Sequence, residues 1–312
     1  MKGFHPPKLR PSKLRPPKPR PQELRPLALG RLRNFLSENL QRAGVESESS
    51  IQEADWIVTR LLNISRGELL AHPERALTDS QAAAALEILR RRVSGEPLQY
   101  ILNEAHFWGL TLQVGEGVLV PRPETELLVE LALELLPSPG AYSPIFLDWG
   151  TGSGCIAIAM LLERPDARAF MAEKNPRSLQ WAWKNVERYG LHERALLWHS
   201  RRAEDIPAKG ALDLVVGNPP YIPTKDIASL MREVRDHEPH LALDGGKDGM
   251  DFYRMLFQHA CAWLKPDGAL VLEIGGADQA AELRTMAPSR LNLAKEVADY
   301  AGIPRCMAWR YR

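Results

Sequence analysis

The sequence predicts a doubly wound α/β domain preceded by a small helical bundle, and three observations carry that expectation. From Pro144 onward, apolar runs of strand length alternate with helical ones, the signature of a parallel sheet with crossover helices. The N-terminal third shows only helical periodicity with repeated helix-start signals. A turn with three glycines follows the first strand of the alternating region and leads into a helix.

Residues 1–27 repeat a Lys-Leu-Arg-Pro theme and carry eight Lys or Arg against one acid, Glu23. That composition favours an extended, disordered basic tail. Residues 28–92 read as a bundle of four or five helices. Leu32, Phe35, Leu36 and Leu40 share one face, and Ala54, Ile57, Val58, Leu61 and Leu62 the next. Ser50-x-x-Glu53, Ser65-x-x-Glu68 and Thr78-x-x-Gln81 each have the form of a capping box at a helix start. Residues 93–140 read as a connector. Phe107, Trp108, Leu110, Leu112 and Val114 nearly alternate as in a hairpin, and an amphipathic helix then runs from Pro123 to Pro137 through Leu127, Leu128, Leu131 and Leu135.

Residues 141–312 form the α/β domain. The expected strands are Ile145 to Trp149, Ala169 to Glu173, Ala195 to Trp198, Leu212 to Val216 and Ala269 to Ile274. Leu291 to Val297 and Cys306 to Tyr311 close the sheet as an antiparallel hairpin. Ligands of such a sheet bind in the crevice at the strands' carboxyl ends.

Composition excludes several classes. No stretch approaches the length of apolar chain that spans a bilayer, and the N-terminus lacks a secretory apolar core, so a cytoplasmic protein without membrane association is expected. Cys155, Cys261 and Cys306 lie far apart and read as buried, reduced thiols rather than a disulfide or zinc framework. His237 and His240 have helical ligand spacing, but Pro239 lies between them and no third ligand is evident, so no metal is expected. The net charge of +1 hides a basic tail on an acidic body, which argues against stable nucleic-acid binding. A monomer is expected.

Asp148-Trp149-Gly150-Thr151-Gly152-Ser153-Gly154 is the strongest local signal. Alternate glycines permit a tight turn and a close backbone approach to a ligand. Asp148 at the strand end would repel a pyrophosphate yet suits an ammonium or a bound water beside a cationic ligand. Glu173, at the end of the second strand, is placed to accept ribose hydroxyls. No Gly-Lys-Ser/Thr occurs, which excludes a P-loop nucleotidase. These features point to S-adenosyl-L-methionine, which has no phosphate and carries an amino group and a sulfonium.

Asn218-Pro219-Pro220-Tyr221 follows the fourth strand. The prolines remove two N–H donors and fix the backbone, leaving the Asn218 side-chain oxygen and the Pro219 carbonyl as paired acceptors. That pair matches the two N–H bonds of one planar amide or aromatic amine. Accepting both returns electron density to a delocalised nitrogen and aims it at a methyl carbon. Tyr221 is expected to offer a stacking face.

On these residues the chain resembles the peptide-chain release factor glutamine methyltransferases, the PrmC/HemK family, from residue 28 to 312. The resemblance rests on Ser94-Gly95-Glu96-Pro97-Leu98-Gln99-Tyr100-Ile101, Val120-Pro121-Arg122-Pro123-Glu124-Thr125-Glu126, the glycine loop, Gly217 to Pro223, and Glu238-Pro239-His240-Leu241-Ala242-Leu243-Asp244-Gly245-Gly246 with Asp251-Phe252-Tyr253. It implies a Rossmann-like class I methyltransferase sheet and N5-methylation, with S-adenosyl-L-methionine, of the glutamine in a release factor's Gly-Gly-Gln loop. Asp148, residues 150–154, Glu173 and Asn218 would bind cofactor, and Asn218 to Tyr221 would hold the glutamine. The helical domain would grip the release factor, with Arg122 and Glu124 shaping a cleft between domains. Five positions depart from the family pattern. Glu173 stands for Asp, Arg202-Ala203 for an acidic-aromatic pair, Asn103 for Gly and Trp149 for Leu.

The residue chemistry leaves rivals open. An adenine-N6 methyltransferase of DNA or RNA uses the same acceptor constellation but is expected to add a basic recognition region. A ribosomal-protein glutamine methyltransferase is a nearer alternative, and a non-catalytic binding module that has lost its cofactor affinity a more distant one.

Overall fold

A computed structural model describes residues 28–140 and 142–312. The expected tail, residues 1–27, lies outside the described residues. The chain divides into two compact units, one ending at Ser94 and the other running from Gly95 to Arg312.

The described part of the first unit holds α1 (Leu29–Arg42), α2 (Ser47–Leu62), α3 (Arg66–Ala71) and α4 (Asp79–Val93). Leu29, Leu32, Leu36 and Leu40 of α1 recur at helical spacing and are fully buried, as are Ala54, Ile57 and Val58 of α2, so each helix turns one apolar stripe inward. Two of the three expected capping boxes form. Ser65 Oγ accepts the Glu68 N–H at 3.1 Å while Glu68 Oε2 accepts that of Ser65 at 2.8 Å, and Thr78 and Gln81 do the same at 3.2 and 3.0 Å. The third does not. Helix α2 starts at Ser47, which puts Ser50 inside its first turns, buried, with its hydroxyl on the Ser47 carbonyl at 2.7 Å. Glu53 is held instead by Arg92 of α4 through two bonds of 2.8 and 2.9 Å, so it cannot reach back as a cap. Thr78→Ala is expected to lower the stability of this unit by about 1 kcal/mol, read as a fall in its thermal or urea midpoint.

The second unit opens with α5 (Leu98–Leu102), a short helix the sequence reading did not anticipate. Asn103 ends it in the left-handed region at φ 54°, a conformation glycine adopts freely and asparagine tolerates better than most residues. This accounts for the exchange with the family's Gly. The expected hairpin follows as β1 (Ala105–Phe107) and β2 (Leu110–Leu112), antiparallel with Phe107 opposite Leu110. A 3-10 turn at Pro123–Thr125 leads into α6 (Glu126–Leu135).

The sheet domain continues as β3 (Ile145–Trp149), α7 (Cys155–Glu163), β4 (Arg168–Glu173), α8 (Pro176–Arg188), β5 (Ala195–His199) and β6 (Leu212–Gly217). It finishes with α9 (Arg232–His237), α10 (Asp251–Trp263), β7 (Leu264–Glu273), α11 (Ala277–Met286), β8 (Leu291–Ala298) and β9 (Pro304–Tyr311). Strand order is β5-β4-β3-β6-β7-β9-β8. The first five strands are parallel, and β9 and β8 close the edge antiparallel. All seven expected strands are present. The largest boundary difference is in β7, which starts at Leu264 because Lys265 to Gly268 form an irregularity within the pairing to β6 rather than a turn before it.

One face of the sheet packs Phe146, Val216 and Val271 against α6 and α7, and the other packs Leu147, Val215 and Leu272 against Tyr253, Phe257 and Trp263 of α10. Burial of both faces is what near-continuous apolar strands require. Cys155 and Cys306 are buried, while Cys261 is only partly so. No helix among the described residues is long and apolar enough to cross a membrane. Connections run from β3 to β4 on one side and eventually to β6 on the other, so the carboxyl end of β3 is the switch point of the sheet.

Candidate active site

Three loops meet at that switch point. Gly150, Gly152 and Gly154 after β3 all have positive φ, at 73°, 58° and 83°. Gly150 and Thr151 both donate their N–H to the Ala172 carbonyl at 2.9 and 3.0 Å, which folds the loop over the end of β4. A Cβ at Gly154 would lie 2.8 Å from Met171 Cε and 3.0 Å from Ile158 Cδ1, so that glycine serves packing. At Gly150 a Cβ would meet no atom within 4 Å and at Gly152 none closer than 3.8 Å. These two leave backbone open to a ligand.

Asp148 is fully buried beneath the loop. Its Oδ2 accepts the Thr151 hydroxyl at 2.5 Å, while Oδ1 has no partner among the described residues. Burial pushes its pKa up to about 7, against the opposing pull of the Thr151 hydrogen bond. Glu173 closes the other side. Its Oε2 accepts the Gly152 N–H at 2.9 Å and its Oε1 that of Asn175 at 2.7 Å, and burial raises its pKa. Each oxygen keeps further acceptor capacity.

After β6, Asn218 donates from Nδ2 to Thr125 Oγ1 at 3.2 Å, which leaves Oδ1 as the acceptor end. Gly217 precedes it where a Cβ would stand 3.0 Å from the Trp149 carbonyl, so the two loops leave the sheet side by side. The Tyr221 ring is placed otherwise than a stacking face would need. It packs against Gly275, where a Cβ would come within 3.1 Å of it, and points its hydroxyl to Glu273 Oε1 at 3.4 Å.

A cavity of about 360 Å³ joins these loops. Gly150, Thr151, Gly152, Ser153, Glu173, Asn218, Pro219 and Pro220 line it, whereas Asp148, Gly154 and Tyr221 lie behind its wall. Thr125, Ser200, Phe252 and Met255, none of them a site residue expected from the sequence, also line it. Thr125 and Phe252 stand inside the motifs that carried the resemblance, and that was their only signal. Arg122 lines the cavity within this unit and binds Glu238 Oε1 at 2.6 Å, which ties the Pro121–Pro123 segment to the Glu238–His240 segment. Arg202 and Ala203 stand on the wall between β5 and β6, where the Arg201 and Arg202 N–H groups donate to Asp205 Oδ2 at 3.1 and 3.0 Å. Trp149, in place of Leu, stacks on Trp263 with ring centroids 5.7 Å apart.

The donor set fits S-adenosyl-L-methionine. Open glycine backbone, a buried carboxyl with a spare oxygen behind it, the Glu173 carboxyl and the apolar Phe252 and Met255 surround one volume.

This sheet order, with a glycine turn and an acid at the switch point, defines a class I methyltransferase. Residues 125–247 match the methyltransferase small domain model and residues 31–102 the PrmC N-terminal domain. The release factor glutamine methyltransferase of Bradyrhizobium diazoefficiens is 38% identical over 281 residues, covering 89% of this chain and 93% of the relative. That of Geobacter sulfurreducens is 40% identical, covering 78% and 81%. The chain belongs to the release factor glutamine methyltransferase family. A solved hMettl16 catalytic domain in complex with MAT2A 3'UTR hairpin 6 aligns with a TM-score of 0.52 at 16% identity, covering 77% of this chain and 85% of that one, and shares the fold alone.

Proposed function

We propose that this protein transfers a methyl group from S-adenosyl-L-methionine to the side-chain amide nitrogen, N5, of the glutamine in the Gly-Gly-Gln motif of peptide chain release factors. The observation that carries this reading is the Asn218-Pro219-Pro220 wall, with the Asn218 amide anchored through Nδ2, set in a chain of this family. Gly150 to Ser153, Glu173 and the carboxyl of Asp148 hold the cofactor, which when bound supplies an electrophilic methyl group. Asn218 Oδ1 and the Pro219 carbonyl accept the two N–H bonds of the substrate amide, which raises electron density on the nitrogen and aims it at that methyl. On gaining the methyl group, the amide nitrogen would give up one proton to water or to the acceptor pair. Tyr221 braces this loop from behind rather than stacking on the substrate. Residues 28–92 supply a surface for the release factor, and the protein works as a cytoplasmic enzyme.

The test is a transfer assay with labelled S-adenosyl-L-methionine and three acceptors side by side: a bacterial release factor, its Gly-Gly-Gln Gln→Ala variant, and adenine-containing DNA and RNA. Label is expected on the intact factor alone. Label on nucleic acid alone would overturn the glutamine reading.

A further inference from the structure

A primary amide at position 218 has two orientations related by a half-turn, and only one presents an acceptor to the cavity. In the other, the NH2 group would face the N–H bonds it is meant to receive. What selects the orientation is the bond from Asn218 Nδ2 to Thr125 Oγ1 at 3.2 Å. Oγ1 accepts from Asn218 when its own proton points elsewhere; turned toward Asn218, the hydroxyl would donate to Oδ1 and favour the opposite orientation. Glu273 stands at the carboxyl end of β7, its Oε1 3.4 Å from the Tyr221 hydroxyl. Thr125 is 3% and Glu273 2% exposed, so water does not compete for either. The Thr125 and Tyr221 hydroxyls both favour the charged form of the Glu273 carboxyl, and the Tyr253 hydroxyl fixes the strand end by donating to the Glu273 carbonyl at 2.9 Å.

We propose that Thr125 and Glu273 are positioning residues that set the polarity of the acceptor site: the carboxylate draws the Thr125 hydroxyl proton, Thr125 Oγ1 thereby accepts from Asn218 Nδ2, and Asn218 Oδ1 is left facing the substrate amide. This rests on the glutamine-transfer reading above. An ionised carboxylate can only accept, so it gives the chain one direction; a protonated one can donate and removes that constraint. A buried carboxyl whose Oε2 has no partner among the described residues is a poor device for stability, whereas it suits this task. The groups around Glu273 are Glu124 and Thr125 from the 3-10 turn and its approach, Tyr221 after β6, Tyr253 from α10, Arg305 and Cys306 from β9, and Cys155 from α7. Burial pushes the carboxyl up to about 7; Glu124 adds to the rise, and the two hydroxyls and Arg305 oppose it. The charged form, and with it the polarity, is therefore lost as pH falls through about 7.

The experiment compares wild type, Thr125→Val, Thr125→Ser and Glu273→Gln in single turnovers at saturating cofactor and release factor from pH 6 to 9, with thermal melts to confirm folding. Thr125→Val is expected to lose roughly tenfold or more in the transfer rate with KM nearly unchanged, and Thr125→Ser to recover most of it. Glu273→Gln is expected to be slower at pH 8 and to lose the fall in rate below about pH 7 that wild type shows. Side-chain 15N–1H spectra read the bond directly, since one Asn218 Nδ2 proton is protected from exchange in wild type and exposed in Thr125→Val. Equal rates in folded Thr125→Val and wild type, or an unprotected Nδ2 in wild type, would overturn the proposal. If wild type fails to label the release factor, the glutamine reading falls, and the exchange measurement still decides the orientation.

Discussion

Asn218→Ala is expected to cut methyl transfer to the release-factor glutamine by roughly a thousandfold while most of the affinity for S-adenosyl-L-methionine remains. The magnitude follows from removing one preorganised hydrogen-bonding group from a site where charge shifts during reaction, a loss of about 10²–10³ in rate. The selectivity follows from geometry. Asn218 holds its amide by Thr125 on one side and lines the cavity, whereas the glycine loop and Glu173 lie on the β3 and β4 side of it. The truncation also leaves buried Thr125 Oγ1 without the donor it accepts from. Calorimetric titration of cofactor beside the transfer assay separates the two quantities. Undiminished turnover would remove Asn218 from the acceptor site.

The second large effect is expected at Glu173. Glu173→Ala should weaken cofactor binding roughly 10- to 100-fold, because a charge-assisted hydrogen bond is worth about 1.5–3 kcal/mol and each tenfold corresponds to about 1.4 kcal/mol. Part of the loss comes through the protein itself. The Gly152 and Asn175 N–H groups both end on this carboxylate, so its removal also loosens the loop that receives the ligand. Glu173→Asp should keep the charge and restore much of the affinity. A dissociation constant unchanged in Glu173→Ala would mean that the acid braces the loop without touching the cofactor.

The sheet was legible because each strand is an apolar run bounded by turn chemistry, and burial of both faces imposes that pattern. Period alone missed what tertiary contacts decide. Ser50-x-x-Glu53 has the form of a helix start, but Arg92, 39 residues away, takes Glu53, and local spacing carries no trace of that pair. Helix α5 is five residues long, too short for a helical period to emerge. In the site, the loops after β3 and β6 announced themselves through glycines and prolines, residues whose backbone restrictions are visible in sequence. The parts set by side-chain direction were not visible. Neither the inward turn of the Tyr221 hydroxyl nor the burial of Asp148 beneath its loop leaves a mark in residue type.

Trp149 and Gly217, the residues just before the two reacting loops, are direct partners in adjacent parallel strands. Neighbouring strands stand about 4.8 Å apart, a spacing fixed by the backbone itself. If the two loops hold methyl donor and methyl acceptor as proposed, their separation is inherited from main-chain geometry and is indifferent to side-chain drift. Selection can redraw the outer loops and the appended helices to admit a different substrate while the reacting atoms keep their spacing, and the fold can change clients without having to rediscover the reaction.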